Sequence, residues 1–403
     1  MSSLNPESST QPQRYPEIAM RFLKLGAMAY GGPAIMGIMQ AELQQKRQWL
    51  SKPRFVEGLS LVNMLPGAGA TQLGIFLGYV RAGWWGGLLA GLCFVLPAFL
   101  IMLALTFAYV SYGQLPLLRS ALYGLGPVVL AIFVVAVFRL GRNVISSLPS
   151  AVIAIAAAAA VLTDVLGIAS TLALAGAFGI ALFYSRRIGL IILVLFGALT
   201  LGAHLASPYF ASHASTGETG SGLIDIGSFF FKFGALSFGG GLTMIAFIQE
   251  QVVNQFHWLT PREFVDGLAL GQLTPGPILM VAAFVGYKLA GISGALVAGA
   301  AIFLPSFMLM LSIMPIYERV RYLRWMKAAL QGIGPAVIGT LAVSLLQIAP
   351  HAVPDRFAAA VFVVALIALL GWRMSALPAM LAGACLGVLR DRIVALPGLR
   401  ALF

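Results

Sequence analysis

Phe22-Leu-Lys-Leu-Gly-Ala-Met-Ala-Tyr-Gly-Gly32 returns 208 positions later as Phe230-Phe-Lys-Phe-Gly-Ala-Leu-Ser-Phe-Gly-Gly240. The match extends outward from this stretch. Leu65-Pro-Gly67 is echoed by Thr274-Pro-Gly276, and Gly78-Tyr79 by Gly286-Tyr287. Leu96-Pro-Ala-Phe99 is echoed by Leu304-Pro-Ser-Phe307, and Gly126-Pro127 by Gly334-Pro335. Both copies sit in strongly apolar sequence. A duplicated, glycine-broken membrane half is the sequence mark of a secondary transporter whose site lies between the halves.

Composition agrees with a membrane setting. The chain has 403 residues, 60% hydrophobic and only 9% charged, where a soluble protein carries about 25% charged residues. The net charge of +12 reads as Lys and Arg at the ends of membrane spans, facing anionic lipid and the cytoplasm. The expected partner is therefore the bilayer and not nucleic acid. Cys93 and Cys385 lie in apolar spans, and two cysteines make no disulfide framework. His204, His213, His257 and His351 show no ligand spacing, so neither metal nor cofactor is expected. No phosphate loop, nucleophile elbow or zinc helix stands out, which argues against an ATP-driven pump and against an enzyme. The Ser-, Pro- and Gln-rich start has no apolar core and is expected not to be a cleaved signal.

A spanning helix needs about 20 mostly apolar residues. The sequence offers about thirteen such elements (about 10 to 14 with boundary uncertainty), predicting an all-α integral membrane protein of two homologous, inverted halves. The organisation read is a polar tail over 1–17 and a first membrane repeat with one extra span over 18–206. A polar linker over 207–224 and a second repeat over 225–403 follow. Ile18–Gln40, Val56–Val80 and Phe264–Tyr287 are among the candidate spans. The extra span would turn the second half upside down relative to the first. Lys46, Arg47, Lys52 and Arg54 crowd one first-half loop, whereas the matching second-half loop has Arg262 beside Glu250 and Glu263. Arg319, Arg321, Arg324 and Lys327, however, fall in a loop that this arrangement places outside. A hairpin at Gly31-Gly32 in place of a first span is the alternative.

Three constellations can carry chemistry. Lys24 and Lys232 recur at the same place in apolar helices, where a cation either snorkels to the interface or meets an anion. Gly31, Gly32, Gly239 and Gly240 let backbone approach a ligand or another helix. Pro66, Gly67, Thr71 and Gln72, matched by Thr274, Pro275, Gly276 and Pro277, break a span near its middle. The restarted helix points N–H groups and a positive dipole end into the protein, which binds anions without a buried charge. The alternative there is a proline kink without a ligand. Glu42 and Glu250 coincide in the repeat, as do Glu57 and Asp266. They are the candidates for ion coupling, or else interfacial salt bridges.

At these residues the chain resembles the chromate ion transporter family in its long, two-domain form. Phe22–Gly32 with Pro33, Glu42, Trp49, Phe55, Leu65-Pro-Gly67 and Gly78-Tyr79 resemble its N-terminal domain. Phe230–Gly240, Glu250, Trp258-Leu259, Phe264, Thr274-Pro-Gly-Pro-Ile278 and Phe284-Val-Gly-Tyr287 resemble its C-terminal one. Where the family has Pro-Gly-Pro in the first half, this chain has Pro66-Gly67-Ala68, and Gly241 stands where the first half has Pro33. The resemblance implies export of chromate, or a sulfate-like oxyanion, across the cytoplasmic membrane, giving chromate resistance. A homodimer is a further expectation, and an anion channel or a carrier for another small anion such as sulfate is the alternative function.

Overall fold

The structure is a computed structural model that describes residues 14–29, 32–113, 115–163, 168–192, 194, 222–236, 248–316, 324–372 and 374–394. Gly31, Gly239, Gly240 and the predicted linker as far as residue 221 lie outside the described residues. Every regular element among the described residues is a helix.

The chain opens with α1 (Arg14–Met28) and α2 (Gly32–Met39), the latter continuing as a π-helix over Gln40–Lys46. Ile18, Phe22, Leu25 and Ala29 fall at helical spacing and are buried, while Met20, Lys24 and Met28 are exposed. The two helices run antiparallel. Arg47, past the end of the π-helix, reaches Glu17 near the start of α1 at 3.4 Å, and Arg21 lies 3.8 Å from Glu42. The candidate span Ile18–Gln40 is thus two antiparallel helices among its described residues, not one.

A second hairpin follows. Ser51 caps α3 (Lys52–Met64), and Leu65–Ala68 turns the chain into α4 (Gly69–Tyr112). A Cβ on Gly58 would lie 2.3 Å from the Phe76 ring, and one on Gly69 3.4 Å from Val62, so the two helices face each other antiparallel. The stretch read as the span Val56–Val80 is this hairpin. Helix α4 is itself two arms. Ala82 and Gly83 leave helical geometry, with Gly83 at φ +68°, and the arms fold back until a Cβ on Gly78 would stand 2.3 Å from the Gly86 carbonyl oxygen. Only glycine permits that backbone sign and that approach.

The first half is completed by α5 (Pro116–Val144), α6 (Leu148–Leu162) and α7 (Ile168–Phe183). The second half repeats the plan. It has α8 (Leu223–Leu236), a π-helix over Glu250–Gln255, and α9 (Pro261–Leu273) with a full capping box from Thr260 and Glu263. The loop Thr274–Pro277 leads through a 3₁₀ turn into α10 (Val281–Ile313), bent at Ala290–Gly291 as α4 is at Ala82–Gly83. Phe264–Tyr287 is therefore also a hairpin. Helices α11 (Arg324–Ala352), α12 (Arg356–Leu370) and α13 (Ala376–Val394) close the described chain.

The halves are interleaved. Helix α5 packs on α12 and α13 of the second half, and α11 packs on α6 and α7 of the first. The contacts are reciprocal to the residue. A Cβ on Gly124 would lie 2.1 Å from the Gly383 carbonyl oxygen, and one on Gly332, its repeat partner, 2.0 Å from the Ala175 carbonyl oxygen. Such close crossings need small residues. The second arms of α4 and α10 cross antiparallel: a Cβ on Gly91 would meet Phe307 at 2.6 Å, and one on Gly299 would meet Phe99 at 3.0 Å.

Gly69–Tyr112, Pro116–Arg142, Ile278–Ile313 and Gln331–Ala352 are long and apolar enough to cross a membrane, by length and composition. Leu92, Leu96, Leu100 and Phe107 form an exposed apolar stripe along α4. A patch of that kind is costly in water and natural against lipid.

Candidate functional site

The two hairpin loops built on proline and glycine do not face solvent. Leu65, Gly67 and Ala68 are buried, as are Thr274, Pro275, Gly276 and Pro277. Each loop is seated on the opposite half. Ala68 N–H donates to Ser306 Oγ on α10 at 2.7 Å. Gly276 N–H donates to the Ala29 carbonyl at the end of α1 at 2.8 Å. A Cβ on Gly276, which has φ +98°, would stand 2.8 Å from the Ala98 methyl on α4. Ala98 and Ser306 are repeat partners in Leu96-Pro-Ala-Phe99 and Leu304-Pro-Ser-Phe307. Each hairpin tip is therefore seated on the opposite half's member of the crossing pair, the first on α10 and the second on α4.

Donors are distributed unequally between the loops. In the second loop, Thr274 N–H goes to the Leu270 carbonyl and Gly276 N–H to Ala29, while Pro275 and Pro277 have none to give. The Thr274 hydroxyl donates to the Leu270 carbonyl at 2.8 Å, with Met102 Sδ 3.4 Å away. Every N–H of that loop is committed. The partner that takes the Gly276 N–H comes from the other half of the chain.

The first loop keeps unpaired polar atoms. Gln72 Nε2 donates to the Pro66 carbonyl at 2.6 Å, which fixes the amide and leaves Oε1 without a partner. Thr71 Oγ1 also has none. Both residues are wholly buried, as is Ser306. The first residues of α4 carry no side-chain cap, so a buried helix start stands beside unsatisfied polar groups, a combination that calls for a further partner. Gly67 makes the approach possible. At φ +131°, a Cβ there would lie 2.3 Å from Gln72 Nε2 and 2.5 Å from Ser306 Oγ.

The remaining predicted residues lie apart from these loops. Gly32 begins α2. Lys24 and Lys232 are on the exposed faces of α1 and α8, opposite the buried Phe22 and Phe230. Glu42 is bridged by Arg47 at 3.2 Å and Lys46 at 3.5 Å. Glu57 is bridged by Arg54 at 2.8 Å, and Glu250 accepts from Asn254 at 2.8 Å. Asp266 differs: it accepts from the Tyr109 hydroxyl of α4 at 3.0 Å, across the boundary between the halves. Among the described residues no His, Cys, Asp and Glu cluster could hold a metal ion. Ser306, Ala98, Ala29 and Tyr109 were not anticipated as site residues. The one sequence signal was that the repeat diverges at Ala98/Ser306 and at Ala68/Pro277 together.

Comparison with known proteins follows the same two-part division. The chromate transporter family profile matches residues 16–203 and 224–388. A chromate transport protein of Cupriavidus metallidurans is 33% identical over 380 residues, covering 92% of this chain and 91% of the relative. A probable chromate transport protein of Synechococcus elongatus is 32% identical, covering 89% and 90%. An uncharacterized transporter of Methanocaldococcus jannaschii is 27% identical, covering 87% and 89%. No solved structure matches. With a profile spanning both copies of the repeat and relatives aligned over 92% and 89% of its length, this chain, a helical multi-pass membrane protein, belongs to the chromate transporter family.

Proposed function

We propose that the protein is a secondary transporter that exports chromate across the cytoplasmic membrane and so confers chromate resistance. The observation that carries this is the seating of Leu65–Ala68 and Thr274–Pro277 each on the opposite half, with Thr71 and Gln72 side-chain oxygens buried and unpaired beside a helix start. Tetrahedral oxyanions present oxygens that hydroxyl and N–H donors satisfy without a fixed countercharge. Lys24 and Lys232, on outer faces, act by potential and not by ligation.

The two halves are an inverted repeat in this proposal. In support, the equivalent arms of α4 and α10 cross antiparallel. In addition, Tyr109, at the far end of α4 from Arg81 and Glu17, bonds Asp266 near the outer end of the second-half hairpin. Hairpins then enter from opposite faces, and rocking one half against the other exposes the loops alternately. The relatives named chromate transport proteins support the substrate.

Everted membrane vesicles with and without the protein test this. Protein-dependent chromate accumulation, saturable with concentration, is the expected result. Currents that reverse at the anion's equilibrium potential without saturation would make the protein a channel, and sulfate accumulation in place of chromate would assign another substrate.

A further inference from the structure

Resting on the oxyanion-transport reading above, we propose that the first-half site takes its substrate in the monoprotonated form, with the free side-chain oxygen of Gln72 accepting the oxyanion's own O–H. The choice of half comes from the donor ledger. Beside the first loop the Thr71 and Gln72 side-chain oxygens are buried without a partner, whereas the Thr274 hydroxyl of the second is spent on the Leu270 carbonyl, so recognition falls to the first loop and to the Ser306 hydroxyl that touches it.

The choice of protonation state comes from Gln72. Its amide cannot be reversed, because Nε2 must face the Pro66 carbonyl at 2.6 Å. The free atom is therefore Oε1, which only accepts. It is wholly buried and unpaired. A bare dianion would set a second acceptor against it, at the full cost of two unsatisfied buried groups. A hydrogen-oxyanion matches the whole set. Its O–H goes to Gln72 Oε1, and its charged oxygens take the Thr71 hydroxyl and the proton that Ser306 keeps while accepting from Ala68.

This supplies a discrimination that shape cannot. Chromate and sulfate are alike in size and geometry, but chromate binds a proton just below neutral pH while sulfate stays a dianion until strongly acid pH. A site that hydrogen-bonds a substrate O–H rejects the analogue lacking it far more strongly than a site that reads only size. Chromate leaving as a monoanion also carries its proton across and releases it on the far side.

Charged groups on the surrounding elements are engaged elsewhere. Glu17 and Arg21 of α1, Glu42 of the π-helix, and Arg54 and Glu57 of α3 pair with one another or with neighbouring bases. Lys24 is exposed. On the second half, Glu263 of α9 pairs with Lys288 of α10 at 2.8 Å, and Arg262 is exposed. Asp266 of α9, bonded to Tyr109, is the rival source of a pH response.

The test is chromate uptake by the full-length protein in proteoliposomes, with pH equal on both sides and the membrane potential clamped, from about pH 6 to about pH 8.5. Initial rates should follow the monoprotonated fraction, falling about tenfold per pH unit once chromate is mostly deprotonated. Excess sulfate should compete weakly and phosphate, which keeps a proton, more strongly. Gln72→Leu should lose the pH slope together with most of the rate, whereas Asp266→Asn should keep the slope. Wild-type uptake that is flat or rises with pH, with sulfate competing on equal terms, overturns the protonated-substrate proposal and leaves chromate transport standing. A slope abolished by Asp266→Asn also overturns it. Absence of uptake of either anion at every pH overturns the transport reading itself.

Discussion

Ala68 and Pro277 hold equivalent places in the two loops, and so do Ser306 and Ala98 on the helices that receive them. The differences compensate. Ala68 has an N–H, and Ser306 supplies the oxygen that takes it. Pro277 has none, and the methyl of Ala98 is packed against its loop. Ser306→Ala should leave the Ala68 N–H buried and unpaired, costing about 1–3 kcal/mol, read as a lowered melting temperature in detergent. Ala68 has φ −75°, close to the value proline fixes, so Ala68→Pro combined with Ser306→Ala should recover most of that loss without restoring chromate transport. A double variant less stable than either single one would dismiss the pairing. The sequence showed where the helices break and that the first loop departs from Pro-Gly-Pro. It could not show that the loops differ in free donors, because Ala29 and Ser306 are brought to them only by the fold. It likewise left open which way Lys24 and Lys232 point, since an apolar helix with buried residues at helical spacing still has one face to give a lysine.

Among the elements, hairpins replace several of the predicted spans. A window of about 20 apolar residues reads the same for one crossing helix and for two shorter helices folded back. Only the proline and glycine at the centre hint at the second. The replacement alters the reading of loop charge. When α1–α2 and α3 with the first arm of α4 are hairpins, Lys46, Arg47, Lys52, Arg54 and Arg81 all lie at their open ends. The second arm of α4 then crosses away from that face. The antiparallel second arm of α10 runs back toward it. The first basic cluster then gathers on one face, the arrangement the positive-inside rule expects of a cytoplasmic side. Reporter fusions placed after Trp49 and after Trp258 should lie on opposite faces, with the first cytoplasmic. Both on one face would reject the inverted arrangement.

The whole molecule is an exchange of helices between two copies of one plan. Each half lends a group to the other: α5 lies on α12 and α13, and α6 and α7 lie on α11. The crossing at Gly124 is answered at Gly332 by the same offset that relates Phe22 to Phe230. Reciprocal contacts of this kind are what a two-fold relation between halves produces. The duplication was legible in the sequence, and the interleaving was not, because two copies side by side would give the same repeat. The consequence is that helices of both halves line the boundary on which the two loops are seated. The direct measurement uses Thr71→Cys in a protein whose two cysteines, Cys93 and Cys385, are replaced by serine. It is labelled with a membrane-impermeant thiol reagent from either side. The expected result is labelling from both faces, slowed by chromate on each. Labelling confined to one face, or indifferent to chromate, would contradict an oxyanion site shared between alternating halves.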